Sequence, residues 1–142
     1  MGRVKALCMS KEKGTKKENI KVAIFKENFG IENDAHAGSP RQVSLLAEES
    51  IEKMRARGLS VGSGDFAENI VSEGIDLKSL SLATKIKIGR SVILEIVQIG
   101  KACVSRCAIY YKTGDCIMPR EGVFAKVLKG GIVKVGAKMK VL

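Results

Sequence analysis

The sequence predicts a mainly β domain: a β-barrel of short strands with one central helix and short helical turns. Three observations carry that prediction. Short apolar stretches with period-two alternation or β-branched runs recur along the chain, glycine-rich turns separate them closely, and only one segment has the marks of a regular helix. A parallel α/β sheet would need a helix between most strands, and those are missing. No internal repeat or linker interrupts the 142 residues, so a single domain spanning 1–142 is expected.

Arg3 to Met9 alternates loosely and stops at Ser10, which reads as a first strand. Lys11 to Asn19 is charged and lacks an apolar period, so it is expected to be a solvated, mobile loop. Ile20 to Phe25 follows as a second strand, with Ile20, Val22 and Ile24 as its apolar set. Gln42 to Leu46 reads as a short strand leading into a helix over Ala47 to Arg57. Acids fill the first turn of that helix (Glu48, Glu49), bases the last (Arg55, Arg57), and Gly58 supplies the stop. Ala47, Ile51 and Met54 form its buried stripe.

Leu59 to Asp65 is glycine-rich, a connecting loop or a nest in which Gly62 and Gly64 admit an anion to backbone amides; no Walker A pattern follows. Phe66 to Val71 and Asp76 to Leu82 are extended pieces. Thr84 to Ile88 and Ser91 to Gln98 form a hairpin across Gly89-Arg90, and Gly122 to Leu128 is a further strand closed by Gly130-Gly131. At the end, Val133 and Val135, a Gly136-Ala137 turn, then Met139 and Val141 read as a terminal hairpin.

Chemistry is concentrated in Ile99 to Cys107, where Lys101, Cys103, Arg106 and Cys107 follow a buried strand. A thiol acts as nucleophile or metal ligand only as thiolate, and neighbouring Lys or Arg lowers its pKa from about 8.5. Lys101 and Arg106 are placed in sequence to do this for Cys103. A buried role is the alternative, since free Cys is among the most buried residue types. Cys107, Ala108 and Tyr111 fit the inner face of a short helical turn, and Cys116 reads as structural. A zinc site from Cys103, Cys107, Cys116 and His36 lacks paired Cys-x2-Cys knuckles. The second chemical stretch, Phe29 to Val43, holds the sole histidine, His36, with Asp34 and Arg41 beside it. Asp34 could orient the ring, and Arg41 could fork onto a phosphate or carboxylate.

Lysine and arginine total 25 against 15 acids, a formal +10, which favours an anionic partner such as nucleic acid, a phosphorylated metabolite or an anionic cofactor. Aromatics are only 4% with no Trp, so single-strand stacking platforms are poorly supplied and nucleic acid ranks as the alternative partner. No apolar run approaches the roughly 20 residues a membrane helix needs, and no signal peptide opens the sequence; a cytoplasmic protein with mostly reduced cysteines is expected.

Four stretches in order then resemble a stand-alone MOSC domain, the module found at the C-terminus of molybdenum cofactor sulfurases. They are Gly30-Ile-Glu-Asn-Asp-Ala-His-Ala-Gly-Ser-Pro-Arg-Gln-Val-Ser-Leu-Leu46, Gly64-Asp-Phe-Ala-Glu-Asn-Ile70 with Gly74-Ile-Asp-Leu77, Gly100-Lys-Ala-Cys103, and Gly122-Val-Phe-Ala-Lys-Val-Leu-Lys-Gly-Gly131. The resemblance covers nearly the whole chain. It implies a β-barrel that binds molybdenum cofactor (molybdopterin) or carries sulfur to it, in cofactor biosynthesis and sulfuration or in a molybdenum-dependent reductase. The family cysteine falls on Cys103, as persulfide carrier or molybdenum ligand. Arg41, Lys101, Arg106 and His36 would hold the anionic cofactor or move protons, with Asp34 also on the cofactor side and Asp65, Glu68 and Asn69 shaping the wall. Implied partners are cofactor-biosynthesis or sulfur-donor (cysteine desulfurase) proteins, and a homodimer is compatible with exposed strand edges. The pyridoxal-phosphate enzyme of the larger sulfurases is a separate domain, so this chain alone is expected to bind no pyridoxal phosphate. Asn33 stands where relatives usually have glycine, Ala67 replaces another frequent glycine, and Val104 replaces a frequent histidine.

Overall fold

Seven strands pair edge to edge in a computed structural model of the chain, and the last pairs with the first to close a barrel. The structure describes residues 2–11, 17–35, 37–39, 42–56, 58, 62, 68–99 and 122–142. In chain order the elements are β1 (Gly2–Met9), β2 (Glu18–Ile20), β3 (Val22–Lys26), β4 (Gly30–Ile31), β5 (Val43–Ala47), α1 (Glu48–Ala56), β6 (Ile70–Glu73), a 3-10 turn (Leu77–Ser79), β7 (Lys85–Ile88), β8 (Val92–Ile99), β9 (Val123–Lys129), β10 (Gly131–Lys134) and β11 (Lys138–Val141).

The ring runs β11-β7-β8-β9-β5-β6-β1 and back to β11, with β2 added outside β1. Closure falls on Met139, opposite Ile88 of β7 on one side and Gly2 of β1 on the other. Its side chain is fully buried. Alternate residues fill the interior: Val4 and Leu7, Val43 and Leu45, Ile86 and Ile88, Leu94 and Ile96, Val123, Ala125 and Val127 share one apolar cluster. Burying a large aliphatic side chain contributes about 1.5–3 kcal/mol, so this cluster is the main stabilising term of the barrel. The pairing is antiparallel except between β5 and β6, whose crossover carries α1. The helix packs on the same two strands and buries Ile51 and Met54, as its stripe predicted.

Besides Asp76 to Leu82, read as extended but holding the 3-10 turn Leu77–Ser79, four expectations change. The stretch Lys11 to Asn19 is not a wholly solvated loop, because Lys17 is buried and Glu18 and Asn19 belong to β2. In β3 the alternation is opposite to that read from sequence. Ala23 and Phe25 are buried while Val22 and Ile24 are each 45% exposed, since both faces carry apolar residues and local periodicity could not choose between them. The β7–β8 loop holds three residues, because Ile88 pairs with Val92. Gly89 there takes a φ of 62°, which glycine adopts without steric cost.

The fourth change concerns the C-terminus, where β10 and β11 are both strands but not partners. β10 pairs with β3 in a three-stranded sheet with β4, and β11 closes the barrel. The turn between them is held by other elements: the Val135 amide donates to Lys21 O and the Gly136 amide to Val4 O. Where β9 passes into β10 the chain presses on β3, and a Cβ at Gly130 would stand 2.5 Å from Phe25 O.

Candidate functional site

Asn69, one residue before β6, ties three chain segments together. Its Oδ1 accepts hydrogen bonds from the Ser44 amide (2.9 Å) and hydroxyl (3.1 Å), and its Nδ2 donates to Cys8 O at 3.1 Å. The Asn69 amide donates to Ser44 Oγ at 2.9 Å, and the Cys8 amide to Asn69 O at 2.7 Å. Asn69 and Ser44 are buried, so these bonds replace water that cannot reach them. An amide has one acceptor and two donors, and only such a group bridges β1 and β5 in this way.

The layer lies beside the strands that lead to the cysteine stretch. Phe124 is opposite Ser44 and Gln98, while one step along the ladder Val123 is opposite Leu45 and Ile99. β8 ends at Ile99 and β9 begins at Val123, so residues 100–122 join the barrel one register step from Ser44 and Asn69.

Asp34 holds the same end of β1 from the other motif. Its Oδ1 accepts from Lys17 Nζ at 2.8 Å and from the Ser10 amide at 3.1 Å. Both side chains of the ion pair are 0% exposed, and Lys17 Nζ also reaches Ser10 Oγ at 3.2 Å. The surrounding turns are closed by Ala35 amide to Ser10 O (2.7 Å), Ala37 amide to Asp34 O (3.2 Å) and Gly38 amide to Phe29 O (2.7 Å). Asn33 takes a φ of 70°, the left-handed conformation that Asn accepts best after glycine. Ala35 and Ala37, on either side of position 36, are therefore held by Ser10 and Asp34.

Of the residues singled out by sequence, Asp34, Glu68 and Asn69 are described, and all three are buried. Cys103, Lys101, Arg106, His36, Arg41 and Asp65 lie outside the described residues, as do Cys107, Cys116, Gly64 and the helical turn expected near Tyr111. Sequence reasoning missed Lys17 and Ser44. Neither carries a local signal, because their roles depend on partners 17 and 25 residues away.

Cys8 is the cysteine the structure describes. It is 0% exposed, and its Sγ approaches Asn19 Oδ1 at 3.7 Å. A thiol so enclosed has no route to a partner protein or a bound cofactor. Among the described residues no group of His, Cys, Asp and Glu could hold a metal ion, and no helix is long and apolar enough to cross a membrane. A separate cavity of about 410 Å³ opens between α1 and the 3-10 turn, lined by Ser50, Lys53 and the Gly74-to-Leu77 stretch among others; none of the candidate catalytic or cofactor-binding residues lines it.

Comparison with known proteins agrees with this architecture. The MOSC domain family model matches residues 32–140. The crystal structure of the YuaD protein from Bacillus subtilis superposes with a TM-score of 0.83 at 16% identity, covering 99% of this chain and 94% of that one. YiiM from Geobacillus stearothermophilus gives 0.74 at 15% identity, over 100% and 75% of the two chains. YiiM from Escherichia coli gives 0.66 at 16% identity, over 99% and 69%. At such identities the likeness is one of fold. No curated protein matches in sequence.

Proposed function

This chain belongs to the MOSC domain family, and we propose that it binds molybdenum cofactor, or carries sulfur destined for it, through Cys103. The observation that carries the proposal is the family match over residues 32–140, a span that includes His36, Arg41, Asp65, Glu68, Asn69 and the Cys103 stretch.

The donor set fits such a group. A molybdenum centre takes a soft thiolate, and a persulfide needs an accessible one. The enclosure of Cys8 leaves that task to the 100–121 segment. There Cys103 lies in sequence between Lys101 and Arg106, whose charges would favour the thiolate. Arg41 would hold an anionic phosphate by its planar fork, and His36 would exchange the proton at the sulfur or at a bound anion. When bound, the cofactor supplies the redox or sulfur-accepting chemistry. The protein holds and orients.

In this reading Asp34 and Asn69 are positioning residues. Asp34 spends its carboxylate on Lys17 and Ser10 and so fixes the turn around position 36. Asn69 spends its amide on Ser44 and Cys8, beside the strand ends from which residues 100–122 depart. Glu68 is fully buried, and with Asp65 it would complete the wall.

The test is anaerobic loading with released molybdenum cofactor, then desalting and quantification of molybdenum and pterin. Wild type and Cys8→Ser should retain both, and Cys103→Ser should lose them. Equal retention by Cys103→Ser would sink the assignment, and so would failure of wild type both to retain cofactor and to accept sulfur from a cysteine desulfurase.

A further inference from the structure

On one wall of the barrel, every exposed position of three adjacent strands except Val141, at the end of β11, is cationic. β7 presents Lys85 and Lys87, β11 presents Lys138 and Lys140, and β1 presents Arg3 and Lys5, all exposed. The intervening residues Ile86, Ile88, Met139 and Val4 fill the core. Register turns these cations into a staircase. Lys87 lies directly opposite Lys140, and Lys138 directly opposite Arg3. A two-residue step along a strand is about 6.8 Å and a step between strands about 4.8 Å, so the six span roughly 20 Å along the strands and 10 Å across.

Like charges directly opposite on neighbouring strands destabilise a sheet, and here two such pairs occur in succession. The acids nearby flank the staircase. Glu73 binds Arg3 at 2.8 Å, and Glu95, opposite Lys85, binds Lys126 at 3.3 Å. No ion pair engages Lys5, Lys85, Lys87, Lys138 or Lys140 among the described residues.

We propose that this β7–β11–β1 face binds the phosphate backbone of duplex nucleic acid without reading its sequence. Three chemistries could answer a cationic wall, and its composition selects among them. A protein partner needs apolar or aromatic anchors at the centre of its interface, where lysine is depleted, whereas here the exposed apolar side chains, Val141 and Leu142, stand at one end of β11 and cations fill the centre. A membrane surface rewards apolar side chains inserted along the face, and these two stand only at its edge. Backbone phosphates require only cations in a row. The lack of an aromatic side chain removes base stacking, and with it any preference for single strands.

The test is fluorescence anisotropy of a labelled, mixed-sequence 20-bp DNA duplex across a salt series. Lys87→Gln/Lys138→Gln/Lys140→Gln is compared with Lys21→Gln/Lys53→Gln/Lys129→Gln, each lowering the formal charge from +10 to +7. Loss of three phosphate contacts should flatten the log K against log salt slope by about 2.7 in the staircase variant only. A Lys→Arg triple at the same three staircase positions should restore the slope, and thermal unfolding should show all variants folded. Equal flattening in both glutamine triples overturns the proposal. So does failure of wild type to bind the duplex at low salt, including the case in which it binds phosphatidylserine vesicles instead.

Discussion

Lys17 Nζ and Asp34 Oδ1 meet at 2.8 Å with both side chains wholly removed from solvent. Such a pair is costly to desolvate, and removing one member leaves a buried, uncompensated charge. Lys17→Met is therefore expected to destabilise by about 3–5 kcal/mol. The double variant Lys17→Met/Asp34→Leu should recover much of that loss. Urea unfolding of the three proteins measures it, and a double variant no more stable than Lys17→Met would contradict this reading of the pair.

Asn69→Ala should cost more than a typical polar substitution. It removes the side-chain acceptor of the Ser44 amide and hydroxyl and the side-chain donor to the Cys8 carbonyl together, at about 1–3 kcal/mol for each buried group left unsatisfied. Asn69→Asp should be no better, because an acceptor would then face Cys8 O. Denaturant midpoints close to wild type for either variant would refute the bridging role.

Ser72 gives the opposite sign. Its hydroxyl is buried without a hydrogen-bond partner, so Ser72→Ala removes a desolvation cost and little packing. Stability should hold or rise by up to about 1 kcal/mol. A fall beyond about 1 kcal/mol, read by calorimetry, would show that the hydroxyl has a partner.

Lys87→Glu replaces a like-charge cross-strand pair with an opposite-charge one against Lys140. The gain expected is about 0.2–1 kcal/mol, fading in high salt. If the staircase binds duplex, this more stable variant also binds it less tightly. Unfolding temperatures at low and high salt check the first half, and the anisotropy titration checks the second.

Much of the barrel was legible because its strands are short, alternating and punctuated by glycine. Ile86 and Ile88 against Lys85 and Lys87 leave no doubt about which face is inside, and the Glu48-to-Arg55 charge order marks the helix. β3 misled, since Val22 and Ile24 are as strand-like as Ala23 and Phe25 and only the tertiary neighbours choose the buried pair. The C-terminal residues were read correctly as two strands and wrongly as partners. Alternation specifies that a segment pairs, and closure of the ring by Met139 against Gly2 and Ile88 is a relation over the whole chain length.

The site divides in the same way. Asp34 was selected as a partner of His36 and Asn69 as a wall residue, and the structure ties both to the end of β1. Lys17 sat inside a run of charges that looks like any solvated loop. A buried lysine is invisible in sequence until the carboxylate that compensates it is known.

The central claim is that Cys103 carries sulfur or ligates the cofactor, and native mass spectrometry of anaerobically prepared protein tests it most directly. Wild type, Cys103→Ser and Cys8→Ser would each be measured after exposure to a cysteine desulfurase with cysteine, and separately to released molybdenum cofactor. The account predicts an added mass of one sulfur atom or one cofactor on wild type and Cys8→Ser, and none on Cys103→Ser. The same increment on Cys103→Ser, or none on any of the three, would contradict it.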